Sequence, residues 1–232
     1  MTKKSIQLFT ALTAGAAFAA SAASGQIVLA SLDDVYQENF NSWLGTADSI
    51  PTGWNLSAAG TIEFRGTGTG TGTAGGFWAF GSTGSWALGE LRSNATGDLT
   101  MAVAFENGTG ETITSVGFSW NYEQWRYANA SGLSVAGLGA LSSADFSGVG
   151  ITASTTGTNG TVTVTPTSIS FSAIEIEPGE VFGISWTTVN AAGSNSALAI
   201  NDFTAVIPEP STYAAIFGAL FLGLVLYRRR KK

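Results

Sequence analysis

The chain has 232 residues, with 10 basic and 16 acidic side chains and neither cysteine nor histidine. Those two absences exclude a disulfide framework, zinc sites of the usual kinds, and Ser-His-Asp or Cys-His catalysis. Between Gln26 and Ile207 only Arg65, Arg92 and Arg126 are basic, against fifteen acidic residues, a net charge of −12 that argues against nucleic acid as a partner.

The chain opens with "MTKKSIQLFTALTAGAAFAASAASGQ". Two lysines precede an apolar, Ala-rich run, and Ala20-Ser21-Ala22 follows as a small-x-small site. Those are the three regions of a secretory signal peptide, expected over residues 1–25 as a helix. Cleavage after Ala22, Ala23, Gly25 or Ala30 fits the pattern.

Residues 26–206 form one domain. They are rich in Gly, Thr, Ser, Trp and Phe and lack long runs of helix formers, so strands and glycine-rich turns are expected. Strands are predicted at Thr61–Phe64, Phe77–Phe80, Trp86–Leu91, Leu133–Leu138, Thr161–Thr165 and Ala197–Val206. Met101, Val103 and Phe105 alternate on one face; Val116, Phe118, Trp120 and Tyr122 alternate again after "NGTG". That pattern predicts a hairpin, with positive φ at Asn107-Gly108. A second hairpin is predicted around Pro178-Gly179, with a bulge near Ser172-Ala173, where the apolar phase changes. Many short strands separated by turns indicate an all-β, antiparallel β-sandwich.

Four stretches invite chemical readings. Gly70 to Gly75 matches G-x-G-x-x-G, but no strand-then-helix context surrounds it, and a mobile Thr-Gly loop is the better reading. Glu175, Glu177 and Glu180 have the spacing E-x-E-x-x-E, with Glu175 and Glu177 on one strand face at a separation suited to paired glycosidase carboxylates. Pro178-Gly179 ends the strand before Glu180 aligns, which favours a solvated face. In "NYEQWRY", an exposed Trp125 and Tyr127 beside Arg126 would stack on sugar rings; the preferred reading is that Trp125 is core and Arg126 pairs with an acid. Asp33, Asp34, Glu38 and Asp202 offer the oxygen ligands that suit calcium.

"YQENFNSW…IPTGWNLS" at the start and "SNSALAINDFTAV" at the end of the domain resemble exported jelly-roll modules of the carbohydrate-binding type. The resemblance implies a jelly-roll-like sandwich. It also implies a structural calcium between the first and last strands, for which Glu38 and Asp202 are the best candidates; no other cofactor is implied.

The chain closes with "IPEPSTYAAIFGALFLGLVLYRRRKK". Ser211–Tyr227 carries no charge, and at about 1.5 Å per residue it gives roughly 25 Å of helix, at the short end for a transmembrane helix. Arg228, Arg229, Arg230, Lys231 and Lys232 resist translocation and keep this end cytoplasmic. Pro208, Glu209 and Pro210 hold an extended segment outside the membrane. Residues 207–232 resemble the PEP-CTERM sorting signal of Gram-negative bacteria, with Ile207 where Val is usual. That resemblance implies an exosortase-like processing enzyme as a partner and an association with exopolysaccharide. The sequence thus suggests an exported, non-enzymatic envelope or extracellular-matrix protein, transiently anchored in the membrane. The alternatives are an extracellular carbohydrate-binding module and a glycan hydrolase using Glu175 and Glu177.

Overall fold

The computed structural model describes residues 25–189 and 195–208. Residues 1–24 of the predicted signal peptide (1–25), Glu209, Pro210, the predicted span 211–227 and the basic tail 228–232 lie outside the described residues. Among the described residues no helix is long and apolar enough to cross a membrane; the one helical element is a 3-10 turn at Ala47–Ser49.

The described chain is all-β and builds two sheets. The first holds β1 (Ile27–Leu29), β3 (Trp54–Ala58), β7 (Leu99–Asn107), β9 (Gly132–Gly139), β10 (Ile151–Thr152) and β12 (Val181–Val189). The second holds β2 (Val35–Glu38), β4 (Phe64–Gly68), β5 (Gly76–Ser82), β6 (Ser85–Leu91), β8 (Ile113–Arg126), β11 (Thr163–Ile176) and β13 (Ala197–Val206). Its main path runs β11-β8-β13-β6-β5-β4, with β2 added to β13. Pairing is antiparallel except at β1–β7 and β4–β5, which are parallel.

The inner faces interdigitate into one aromatic core, as expected for stacked sheets. Trp54 and Trp186 of the first sheet stack with ring centroids 5.8 Å apart. Phe203 of the second sheet meets both edge-on, at 5.4 and 5.7 Å. It also lies near-parallel to Phe105 and Phe118. All five rings are buried, and burial of such large rings contributes strongly to the apolar surface removed from water.

Neither predicted hairpin forms. β7 belongs to the first sheet and β8 to the second, so "NGTG" carries the chain across the sandwich. The Pro178-Gly179 turn does the same between β11 and β12. An alternating strand looks the same whether its successor lies beside it or across the core, which is why the pattern misled. Asn107 ties the two crossings together. Its buried side-chain amide donates to the carbonyls of Glu111 and Ile176, both at 2.8 Å. Its backbone carbonyl accepts from Gly179 at 2.7 Å. Positive φ falls on Gly110 in this turn and not on Asn107-Gly108.

The bulge in β11 forms where the phase change placed it: the register with β8 shifts between Ser172 and Ile176, and Ala173 has φ 58°. The predicted Thr161–Thr165 strand and the strand expected before Pro178-Gly179 belong largely to this one strand, and the predicted Thr61–Phe64 strand lies later, at Phe64–Gly68.

Candidate functional site

The outer face of the second sheet carries an aromatic row. On β5, Phe77 and Ala79 point into the core, so Trp78 and Phe80 point outward. On β8, Trp120 and Tyr122 point inward, and the same alternation turns Trp125 outward. The rings of Trp78 and Phe80 lie 5.9 Å apart at 14°, and those of Phe80 and Trp125 lie 6.1 Å apart at 16°. Phe80 is buried at the centre, over Gly89 and Ala199; a Cβ at Gly89 would come within 2.2 Å of its ring. Trp78 and Trp125 are half-buried at the two ends. Trp125 is therefore not part of the main core, and the preferred sequence reading is corrected.

The Gly-Thr repeat lies over this row. Glycines 68, 70 and 72 turn toward the aromatics, and the threonines between them are exposed. A Cβ at Gly68 would fall 2.7 Å from the Trp78 ring and one at Gly72 3.1 Å from it. At Gly70, with φ +81°, it would fall 2.1 Å from the Trp125 carbonyl oxygen. The stretch is thus a strap whose inner face has no room for side chains, packed on the sheet where a free loop was expected.

A polar ladder runs beside the row. Glu123, nearly buried, accepts from Trp125 Nε1 and from Asn201 Nδ2, each at 2.9 Å. Asn121 Nδ2 donates to Asp202 Oδ2 at 2.9 Å. A bulge in β13 places Asn201 and Asp202 together on this face: its register with β8 shifts between Asn201 and Thr204, and Asp202 has φ 48°. Such bulges re-aim side chains; here the extra residue also lets Phe203 enter the core. Asn121, Glu123 and Asn201 were missed by sequence reasoning. The available signal was parity, since residues 121, 123 and 125 share the face opposite Trp120 and Tyr122.

The other predicted residues fall elsewhere. Tyr127 is held at the sheet's end, where its hydroxyl donates to Thr161 O at 3.0 Å and its backbone N–H to Asn159 Oδ1 at 2.7 Å. Arg126 pairs with no acid among the described residues; Nη1 donates instead to Gly72 O at 2.8 Å. Glu175, Glu177 and Glu180 are exposed. Thr112 donates to Glu177 Oε2 at 3.0 Å and the Glu177 N–H to Glu180 Oε2 at 2.8 Å, both surface-turn contacts. Of the sorting motif only Pro208 is described, and its carbonyl accepts from Ser115 at 3.5 Å.

Glu38 and Asp202 come together. Glu38 pairs with Phe203 in register, and both carboxylates line one depression of about 510 Å³ with Gln37 and Asn39. One oxygen of each is already engaged: Glu38 Oε1 by the Phe40 N–H at 2.6 Å and Asp202 Oδ2 by Asn121. Asp33 and Asp34 instead organise the turn after β1. Among the described residues no group of three or more acidic ligands forms. Calcium takes about six to eight oxygens, so the pair would need the amide oxygens of Gln37 and Asn39 as well. Beside the depression, burial pushes the Tyr36 hydroxyl up to about 12.

No protein-family profile matches the chain, and no curated protein does. Solved structures similar to the chain include adhesin domains and carbohydrate-binding modules, and also an isomalto-dextranase and an infectious bursal disease virus structure. The K3 cleaved adhesin domain of Lys-gingipain from Porphyromonas gingivalis w83 is 12% identical; the match covers 74% of this chain and 98% of that one, with a TM-score of 0.42. The CBM22-1 xylan-binding domain of Paenibacillus barcinonensis Xyn10C is 10% identical, with 78% and 100% covered and a TM-score of 0.40. TmCBM61, solved with beta-1,4-galactotriose, is 11% identical, with 72% and 92% covered and a TM-score of 0.36. Scores of this size transfer no residue roles.

Proposed function

We propose that this protein is a glycan-binding β-sandwich whose site is the outer face of the second sheet. The observation that carries the reading is the pair of partly exposed indoles, Trp78 and Trp125, which the Gly-Thr strap covers only in part, with Asn201, Asn121 and Asp202 alongside. A sugar ring has an apolar C–H face and a rim of hydroxyls. Half-buried indoles suit the first, and fixed carboxylates and carboxamides suit the second. The Glu123 bond orients the Trp125 indole before any ligand arrives, which lowers the ordering cost of binding. The protein acts in this reading by binding, without a reaction. Export, membrane anchoring through 211–227 and handling of Pro208-Glu209-Pro210 by an exosortase-like enzyme belong to the same proposal, on the strength of the sequence.

Affinity electrophoresis of the full chain in gels containing soluble xylan, galactan or bacterial exopolysaccharide tests the reading. At least one polymer should retard the wild type, and Trp125→Ala should abolish the retardation at a temperature where circular dichroism shows that the variant, though less stable, is still folded. Equal retardation of both proteins, or none for either, would show that the aromatic face is not a glycan site.

A further inference from the structure

We infer that the cleft at the strap end of this face takes the carboxylate of an acidic sugar, so that the proposed glycan is a uronate-containing one. This rests on the glycan reading and adds a second, separable contact to it. Two of the three arginines of the sandwich bond to the strap. Arg65 Nε donates to Gly75 O at 2.8 Å, and Arg126 Nη1 donates to Gly72 O at 2.8 Å. Arg92 and Arg126 line one cleft of about 250 Å³ with Thr73, Leu91 and Asn94. Leu91 also packs in the aromatic cluster of Trp78 and Phe80, and Gly72 touches both Trp78 and Arg126. The cleft is therefore continuous with the row.

The pairing of these cations makes the argument. Arg65 lies 3.7 Å from Glu63, and Arg92 Nε lies 2.7 Å from Asp98. Arg126 forms no ion pair among the described residues, and its Nε is buried without a partner. Residues 190–194, which precede Asn195 at the cleft, contain no carboxylate. With fifteen acids and three bases between Gln26 and Ile207, an acidic partner for Arg126 would be easy to supply. Instead the guanidinium is held by a backbone carbonyl, which fixes its position without cancelling its charge. A planar, pre-positioned guanidinium beside a second arginine matches a carboxylate. The small volume suits one charged group of a longer chain, whose neighbouring ring would lie against the exposed part of the Trp78 indole.

The test titrates the full chain, in detergent micelles, with oligomers of galacturonate, mannuronate and glucuronoxylan and with their carboxyl-reduced counterparts. The wild type should prefer at least one acidic oligomer about tenfold or more over its reduced form, the range expected of a charge-assisted hydrogen bond. Added salt should narrow that preference. Arg126→Met should abolish it, so that acidic and reduced oligomers bind alike, whereas Arg126→Lys, which keeps the charge, should retain part of it. Arg92→Gln should weaken it without touching the strap. Equal binding of acidic and reduced oligomers, lost in Trp125→Ala, would overturn the cleft and leave the aromatic face standing. A preference untouched by Arg126→Met and Arg92→Gln would also overturn the cleft. Acid binding that survives Trp125→Ala and is lost in Arg126→Met would uphold the cleft and overturn the face. Binding of no oligomer would overturn both.

Discussion

The indole Nε1 of Trp125 donates to Glu123 Oε2 at 2.9 Å, two residues back on the same face of β8. The other oxygen of Glu123 accepts from Asn201 on β13. One carboxylate thus locks the aromatic end of the row to the polar ladder. Glu123→Ala would leave the indole N–H and the Asn201 amide without this partner. We expect a stability loss of about 1–3 kcal/mol in denaturant titrations, with weaker glycan binding. Glu123→Gln keeps the shape and an acceptor and should lose less of both. A Glu123→Ala protein as stable as the wild type would show that the lock contributes nothing.

The strap makes a position-specific prediction. Gly70→Ala places a Cβ against the Trp125 carbonyl at φ +81° and should destabilise by about 1–3 kcal/mol. Thr69→Ala and Thr71→Ala, at exposed positions, should stay within about 0.5 kcal/mol of wild type. Thermal melts of the three variants are the measurement, and equal losses at glycine and threonine positions would contradict the packed strap.

Glu90 predicts a pH dependence. It lies between the sheets, 1% exposed, and neither carboxyl oxygen has a hydrogen-bond partner among the described residues. Burial pushes its carboxyl well above the usual carboxylate range, opposed in part by the Arg92 cation and the Thr188 hydroxyl. The native state therefore keeps this proton after the unfolded chain has released it. Stability is fully present below the unfolded value of about 4.3 and falls as pH rises from there through the folded value. Glu90→Gln cannot ionise and should lack that slope. Denaturation midpoints of the two proteins should differ least near pH 4 and increasingly as pH rises; a constant difference would mean that Glu90 does not titrate in this window.

Calcium held between Glu38 and Asp202 would require that a chelator lower the melting temperature, and that Asp202→Ala remove the difference. Identical melts of the wild type with and without calcium would eliminate the site.

The tail makes a prediction about covalent state. If an exosortase-like enzyme processes it, intact mass of the exported protein should show loss of 211–232. Replacing Pro208, Glu209 and Pro210 with alanine should leave the span attached. A mature wild type that retains Arg228–Lys232 would make the stretch a plain anchor.

The sequence by itself determined the class of fold, the position of most strands and the β11 bulge. Those depend on local properties: period-two burial, turn residues and the phase change around Ala173. It also contained the outward parity of Trp125, since Trp120, Tyr122 and Gln124 take the inward positions of β8. Which sheet each strand joins was decided only by tertiary structure, because alternation records burial and says nothing about the neighbour across the backbone. Thus β7 and β8 read as a hairpin although they face each other through the core. The same limit hid the site. Phe80 and Trp125 lie 45 residues apart in the chain, Asn201 is brought beside Glu123 by a pairing 78 residues long in sequence, and Gly72 meets Arg126 across 54. No local pattern encodes such distances. They follow from the strand order β8-β13-β6-β5 of the second sheet and from the strap packed on it, an arrangement in which Arg126 has no acidic partner among the described residues.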